Sequence, residues 1–154
     1  MDSMRLFRAF LSETGAELVE FALAAPVLLL ITMGIIDFGL LFQRYEVLTN
    51  ASREGARIAV LPGYEDPNLI RDRVNQYLLA TSLSAANVNT NVGNPVPLTI
   101  GPGRCISVVP VTVSYTHQYM FVGGLMRFFG SSLGSTTLSA TTSMRSETAA
   151  VSCE

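Results

Sequence analysis

The sequence predicts an α+β fold in which one long N-terminal helix crosses a membrane and then packs on a small antiparallel sheet. Residues 21–42 form a run of 22 residues whose single charge is Asp37. Apolar residues at helical spacing follow this run up to Leu61, and alternating apolar and polar residues occur closer to the C-terminus. The first feature predicts a membrane span, and the other two predict a head domain built around the end of the same helix.

The composition favours a membrane-attached protein without catalytic activity. The 154 residues are 49% hydrophobic and only 14% charged, whereas a soluble domain carries about 25% charged residues. A net charge of −2, with ten Arg and no Lys, argues against nucleic acid as a partner. One His, two Cys and no G-x-S-x-G, H-E-x-x-H or Walker A motif leave few ways to build a catalytic or metal centre. We therefore expect no enzyme activity, no cofactor, no metal and no small-molecule substrate.

The apolar run is long enough to cross a bilayer. A helix rises about 1.5 Å per residue, so the run covers roughly 33 Å, against a hydrocarbon core of about 30 Å. The alternative is a buried core helix, but such helices rarely need more than about 18 successive apolar positions. The sequence holds one such run, which predicts a single-pass protein.

Two residues inside the run need an explanation. Asp37 lies roughly 31 Å along the helix from Ala16, so it is either an acid that reaches the outer interface or a contact with another helix. Pro26 removes the helical hydrogen bond to Ala22 and should bend or loosen the helix. Simple tolerance of a proline within a membrane helix is the alternative.

The helix is predicted to continue past the membrane, over residues 16–61, for about 69 Å. Pro62-Gly63 provides the stop signal. Arg53 and Arg57 share one face, which is either solvated or bound to neighbouring subunits. A second face is apolar and should carry the head domain; its members are Val47, Leu48, Ala51, Gly55, Ile58 and Ala59.

The head domain begins with a second helix. Asp66 is a good N-cap and Pro67 suits the first helical position. Apolar residues at helical spacing then predict an amphipathic helix to about Ala80. Three strands are predicted after it: residues 88–92, a longer strand over 106–115, and residues 136–144. Pro110 indicates a bulge or an edge in the longer strand, and the turns are Gly93-Asn94-Pro95 and Gly101-Pro102-Gly103.

Two further features of the head are the apolar segment over residues 120–129 and His117. The segment is either part of the core or a surface patch for a partner. His117 has no second His, Asp or Cys at ligand spacing. We expect it to be structural or exposed, and we expect no catalytic role for it.

The two cysteines, Cys105 and Cys153, both lie on the long side of the span. If that side faces an oxidising compartment, the pair can form a disulfide. Closing a loop of about 48 residues stabilises a fold by roughly 4 kcal/mol on chain-entropy grounds. The alternative is two unrelated free thiols.

The segment before the helix resembles a cleavage site. Glu20 at the edge of the span is costly if it lies deep in the membrane. It is either an interfacial acid solvated by headgroups or a residue with a pairing role. If the chain is cut after Gly15, a new ammonium forms at Ala16, and Glu20 can pair with such an ammonium on a neighbouring subunit. The pair would fix the axial stagger of helices in a bundle.

Gly15 followed by Glu20-Phe21 ahead of an apolar helix resembles type IV pilin-like proteins. The longer stretch from Gly15 to Leu61 resembles the TadE-like family of tight-adherence (Flp) pilus proteins. The matching features are Gly15, Glu20-Phe21, Pro26, Asp37-Phe38-Gly39 and Ala51-Ser52-Arg53-Glu54-Gly55-Ala56-Arg57, and the ending Ser143-Met144-Arg145-Ser146-Glu147 is also similar. Glu17 departs from the pattern of the family, because it is a second acid that can compete with Glu20 for the ammonium of Ala16.

The resemblance implies a minor pilin or pseudopilin of a type IV-like pilus for cell adhesion. A prepilin peptidase would remove the leader, residues 1–15, and leave the helix over 16–61 and an extracytoplasmic head over 62–154. The implied partners are the bacterial inner membrane, the peptidase, other pilins and pilus assembly proteins. The implied location is the inner membrane, with a surface pilus as a second site.

The orientation of the chain rests on the cleavage site, the cysteines and the resemblance. Arg5 and Arg8 precede the span, but Arg44, Arg53 and Arg57 follow it, so the positive-inside rule does not favour a cytoplasmic N-terminus. We nevertheless expect the N-terminus in the cytoplasm. The rival to a filament protein is a stationary single-span scaffold of the pilus secretion machinery that never polymerises.

Overall fold

The protein is a long helix packed on a four-stranded antiparallel sheet, as the sequence predicts. The structure, a computed structural model, describes residues 13–64, 66–81, 83, 87–128, 130 and 134–146. The elements in chain order are α1 (Glu13–Ala59), α2 (Pro67–Ala80), β1 (Val88–Val92), β2 (Val96–Gly101), β3 (Arg104–Gln118), α3 (Val122–Phe128) and β4 (Ser135–Ser146).

Helix α1 is continuous over 47 residues and includes Pro26. It begins three residues earlier and ends two residues earlier than the predicted range of 16–61. Its length is about 70 Å, and by length and composition it can cross a membrane once. Gly63 follows the helix with a φ of 87°, a conformation that glycine adopts at little cost. The stop signal predicted at Pro62-Gly63 is therefore confirmed.

Helix α2 follows its sequence signals closely. Asp66 Oδ1 accepts a hydrogen bond from the Asn68 backbone N–H at 2.9 Å, and Pro67 is the first helical residue. The helix ends at Ala80, as predicted. Its buried residues are Ile70, Val74 and Leu78.

Strand β3 is the centre of the sheet. It pairs with β4 along one edge, from Ser107 opposite Ser146 to Gln118 opposite Ser135. On its other edge β1 and β2 lie end to end, opposite residues 111–115 and 104–108 respectively. The three predicted strands are confirmed, whereas β2 was not predicted. Its residues are almost all exposed, so they carry no alternating burial pattern.

Pro110 lies in the central strand and not in an edge strand, which corrects the sequence interpretation. Its carbonyl accepts a hydrogen bond from the Gly93 N–H at 2.8 Å, in the connection between β1 and β2. The N and the C=O of one strand residue face the same side. The missing N–H of Pro110 therefore falls in the gap between β1 and β2, where no ladder bond is lost. The irregularity in the sheet lies instead in β2, between Thr99 and Gly101.

The core lies between the outer half of α1, helix α2 and the inner face of the sheet. Leu48 and Ala51 of α1 are fully buried, as are Val111 and Val113 of β3. The apolar stripe predicted for α1 is the face that packs here. On the opposite face of the sheet, β3 and β4 carry polar side chains, and Thr112 and Thr141 are hydrogen bonded there at 2.8 Å.

Gly55 allows α1, α2 and β3 to come together. A Cβ atom at this position would lie 2.8 Å from Val74 Cγ2 and 3.0 Å from Val111 Cγ1. Such distances are shorter than carbon atoms tolerate, so the three elements can approach only because this residue has no side chain. By contrast, a Cβ at Gly39 of the same helix meets no atom within 4 Å.

We predict opposite effects of alanine at these two helical glycines. Gly55→Ala should lower the free energy of unfolding by about 1–2 kcal/mol, because overpacking outweighs the gain in helix propensity. Gly39→Ala should leave it unchanged or raise it by up to about 1 kcal/mol. Chemical denaturation of the full chain in detergent, followed by circular dichroism, measures both. Equal effects of the two substitutions would contradict the close packing at Gly55.

Candidate functional site

The single acid of the apolar run holds the chain segment that follows β3. Asp37 Oδ1 accepts a hydrogen bond from the Met120 backbone N–H at 3.0 Å. Its Oδ2 accepts from the N–H groups of Phe121 at 3.0 Å and Val122 at 2.7 Å. Val122 is the first residue of α3, so the carboxylate lies at the N-terminus of that helix. Asp37 thus acts as a helix cap supplied from another helix, more than 80 residues away in the sequence.

This arrangement explains how an acid is accommodated among apolar residues. Asp37 is only 1% exposed, and an unpaired buried carboxylate is very costly. Three N–H donors compensate for the lost hydration, and the first turn of a helix has unsatisfied N–H groups that require an acceptor. This cap within the chain was not among the sequence interpretations of Asp37. The interfacial acid and the contact with a helix of another pilin both stay predictions.

A second polar contact lies about two helical turns further along α1. Arg44 Nη1 lies 2.7 Å from His117 Nδ1, and the guanidinium carbon lies 5.5 Å from the centre of the Tyr115 ring. The His117 ring also meets Tyr119 edge-on, with ring centres 5.1 Å apart. A guanidinium can only donate, so His117 Nδ1 must be the acceptor and the ring must be neutral.

His117 is a structural residue inside this contact. It is 1% exposed, and its Nε2 has no hydrogen-bond partner in the part of the chain that the structure describes. Burial lowers the pKa of His117, the nearby Arg44 lowers it further, and Asp37 opposes these effects. The neutral ring is therefore the stable form near neutral pH. The sequence interpretation of a structural or exposed histidine is resolved in favour of the structural one.

Glu54 joins α1 to α2 near the far end of the head. Its carboxylate accepts two hydrogen bonds of 3.1 Å from Arg57, one turn along α1. Arg73 of α2 reaches the same carboxylate with its Nη2 at 3.1 Å. The hydrogen bond from Arg57 lowers the pKa of Glu54, with a further contribution from Arg73, while burial opposes both. Both Arg53 and Arg57 are exposed, and Arg57 is paired within its own chain.

The residues predicted for cleavage and subunit pairing lie near the start of α1. Gly15, Ala16, Glu20 and Phe21 are all helical in the structure. Ala16 and Glu20 are exposed, and Phe21 is 68% exposed. Gly15 is buried, whereas the exposed Ala16, Glu20 and Phe21 are available to the predicted partners on other molecules. Most of the predicted leader, residues 1–12, lies outside the described residues.

The predicted disulfide has one described member. Cys105 is half-buried on β3, opposite Thr99 of β2. Cys153 lies outside the described residues, so the pairing stays a prediction. Among the residues that the structure describes, no group of three or more His, Cys, Asp and Glu side chains is placed to hold a metal ion.

Comparison with known proteins identifies the helical segment that supplies Asp37, Arg44 and Glu54. A family model described as TadE-like protein matches residues 15–57. Residues 15–57 are therefore similar to the TadE-like family. The resemblance inferred from the sequence is confirmed over this range. No curated protein and no solved structure matches the chain.

The TadE-like segment, residues 15–57, lies wholly within α1. Three of its polar residues bind parts of the chain outside that segment. Asp37 holds residues 120–122, Arg44 binds His117, and Glu54 binds Arg73 of α2. Sequence reasoning did not find these partners, because each partner lies at least 19 residues along the chain from the residue that it binds. The one available signal was the isolated charge of Asp37 in an apolar run, which required some partner.

The neutral state of His117 predicts a pH-dependent stability. Its folded pKa lies below the ordinary value of about 6.5, so at pH below about 6.5 the unfolded chain binds more protons than the folded chain. The contribution of the neutral His117 to the free energy of unfolding should therefore be fully present above about pH 6.5. It should decrease as the pH falls toward the folded pKa, by up to about 1.4 kcal/mol per pH unit. His117→Gln keeps an acceptor for Arg44 but does not titrate.

The measurement is the thermal unfolding temperature of the full chain in detergent between about pH 7.5 and pH 5.5. Wild type should lose more stability over this range than His117→Gln. Glu54 does not interfere, because its lowered pKa places its titration below about pH 4.5. Identical pH profiles for the two proteins would contradict a neutral, buried His117.

Proposed function

We propose that this chain is a minor pilin or pseudopilin for the assembly of a tight-adherence (Flp, type IV-like) pilus. The observation that carries the proposal is the position of the TadE-like match. It begins at Gly15, the residue that precedes the expected cut, and it extends along the helix that carries the head. We propose that a prepilin peptidase cleaves between Gly15 and Ala16, and that the protein is not an enzyme.

The exposed start of α1 supports a role in subunit pairing. Cleavage after Gly15 would place an ammonium at Ala16, five residues before the exposed Glu20. A neighbouring helix offset along its axis could then bring its own ammonium to Glu20. In a desolvated bundle this pair stabilises far more than a surface ion pair does. Phe21, exposed beside it, supplies an apolar contact for the same neighbour.

The proposed location is the bacterial inner membrane, with the N-terminus in the cytoplasm and the head outside it. The proposed partners are the membrane, the prepilin peptidase, other pilins and pilus assembly proteins. The length and apolar composition of α1 support a single crossing. Incorporation in a surface pilus is part of the proposal, and exposed apolar side chains along residues 18–42 offer a surface for filament packing.

A stationary scaffold of the secretion machinery is the second candidate. It is favoured by the contact between Asp37 and residues 120–122, which places a part of the head beside the apolar helix. Such a contact suits a protein that stays in the membrane. The two candidates differ in whether the chain is found in sheared filaments.

We also propose that Cys105 and Cys153 form a disulfide outside the cytoplasm. Peptide mapping by mass spectrometry under non-reducing conditions should recover the two cysteines in one linked fragment. A Cys105→Ser and Cys153→Ser double variant should then unfold more easily, by roughly 4 kcal/mol. Alkylation of both thiols in the native, oxidised wild-type protein would refute the bond.

The decisive variant for the pilin proposal is Glu20→Ala. The yield of this chain and of the major pilin in sheared surface filaments should fall by about tenfold or more, because an ammonium left without its acid in a desolvated site costs about 3–5 kcal/mol. Membrane insertion should persist, since the substitution removes a charge from the edge of the span. N-terminal sequencing should still give Ala16 as the first residue.

Two matched variants complete this experiment. Glu17→Ala should reduce filament yield less than Glu20→Ala if Glu20 is the pairing acid. Gly15→Leu should block the cut, because the peptidase must accommodate the residue before the bond. Equal filament yield from Glu20→Ala and wild type would reject the pairing mechanism and favour the scaffold. An intact Met1 on wild-type protein from cells with an active peptidase would refute processing.

A further inference from the structure

The start of the connection between β3 and β4, residues 119–122, lies against the apolar part of α1. The Tyr119 N–H donates to the Gly134 carbonyl at 3.1 Å and closes the base of this connection. Asp37 then binds the backbone of residues 120–122. Beyond that point Phe121 and Val122 face a stretch of α1 that runs from Met33 back to Pro26.

The position of this contact along α1 sets its depth. Met33 lies one helical turn from Asp37, or about 6 Å, and Pro26 lies about 16 Å from Asp37. Both residues are inside the run of 21–42 that is predicted to cross the hydrocarbon core. If α1 spans the bilayer, Phe121 and Val122 must therefore lie below the surface of the leaflet on the side of the head.

Between the connection and α1 there is an apolar groove with a volume of about 250 Å³. Its surroundings are also apolar: Leu29 and Leu30 are 58% and 49% exposed, and Met120 is 66% exposed. These exposures are unfavourable in water and favourable in hydrocarbon. The lining residues are Pro26, Leu29, Leu30, Met33, Phe121 and Val122.

The Asp37 contact satisfies the main requirement for backbone at this depth. In hydrocarbon each unsatisfied N–H costs several kcal/mol, so non-helical backbone enters a bilayer only where the protein supplies partners. Residues 120–122 include the start of α3 and have no helical acceptors for their N–H groups. Asp37 accepts all three hydrogen bonds, and the same bonds stabilise its own charge.

We propose that the start of the β3–β4 connection is embedded in the membrane leaflet on the side of the head, and that the groove beside it holds the acyl chain of a phospholipid. Hydrocarbon chains fill the space around a single-pass helix at this depth, and the groove is continuous with the exposed apolar surface of α1. Asp37 is the positioning residue for the embedded backbone. The proposal requires α1 to span a bilayer but does not depend on a role in a pilus.

The test uses Phe121→Trp in the full chain, which has no other tryptophan. The protein is reconstituted in phosphatidylcholine vesicles that contain phosphatidylcholine with a spin label on the acyl chain. The indole fluorescence should be quenched by the labelled lipid and protected from iodide that is present on both sides of the vesicle. Leu29→Trp is the matched control within the span, and Tyr64→Trp, in the head beyond the end of α1, is the matched control in water.

Each pattern of quenching decides the proposal. Strong lipid quenching at position 121, within about twofold of that at position 29, supports it. Quenching by iodide, as expected at position 64, would overturn membrane embedding. Protection from both quenchers would mean that another protein segment fills the groove, which overturns the lipid as occupant.

The positioning role of Asp37 has a separate readout. Asn offers one acceptor oxygen where Asp offers two, so Asp37→Asn cannot accept all three hydrogen bonds in the same geometry. In the Phe121→Trp background it should reduce lipid quenching by about twofold or more and raise iodide quenching. Asp72→Asn, at an exposed position of α2, should change neither. Unchanged depth with Asp37→Asn would leave Asp37 without a positioning role and overturn that part of the proposal.

Discussion

The carboxylate of Asp37 is the constraint around which the inner end of the head is organised. It is a charge in an apolar run, so it needs donors, and it finds them in the N–H groups of residues 120–122. Those N–H groups in turn need an acceptor, because they include the start of a short helix. The buried carboxylate would be costly without these donors, and the buried N–H groups would be costly without this acceptor. Their contact fixes where β3 ends relative to α1 and therefore where the β3–β4 connection lies.

The remainder of the head depends on α1 serving as both anchor and core. Leu48 and Ala51 are fully buried beneath the sheet, and Gly55 lets α2 and β3 approach the same helix. Arg44 and Glu54 add polar contacts to β3 and α2 on either side of this apolar surface. The TadE-like segment is consequently inseparable from the head, even though the matched range ends at residue 57.

Local signals made α1, α2 and three strands predictable, whereas α3 was not predicted and the site depended on distant contacts. Asp66 and Pro67 defined the start of α2 because capping is a local interaction, and the spacing of Leu48, Ala51 and Ile58 revealed the packed face of α1. Strand β2 escaped prediction because its exposed residues show no alternation. The partners of Asp37 are 83 to 85 residues away and the partner of Arg44 is 73 residues away. All three groups that bind Asp37 are backbone N–H groups, which almost any sequence would provide.

The unbroken course of α1 from the apolar run into the core has a mechanical consequence. A pull on the N-terminal end travels along the helix axis and reaches the head as a sliding force along the whole packed length of residues 44–59. Strands β3 and β4 lie along that same length and contact the helix face there. A sliding load is shared by every contact at once, whereas a peeling load breaks them one at a time. Tension along the anchor therefore loads the contacts between α1 and the head together.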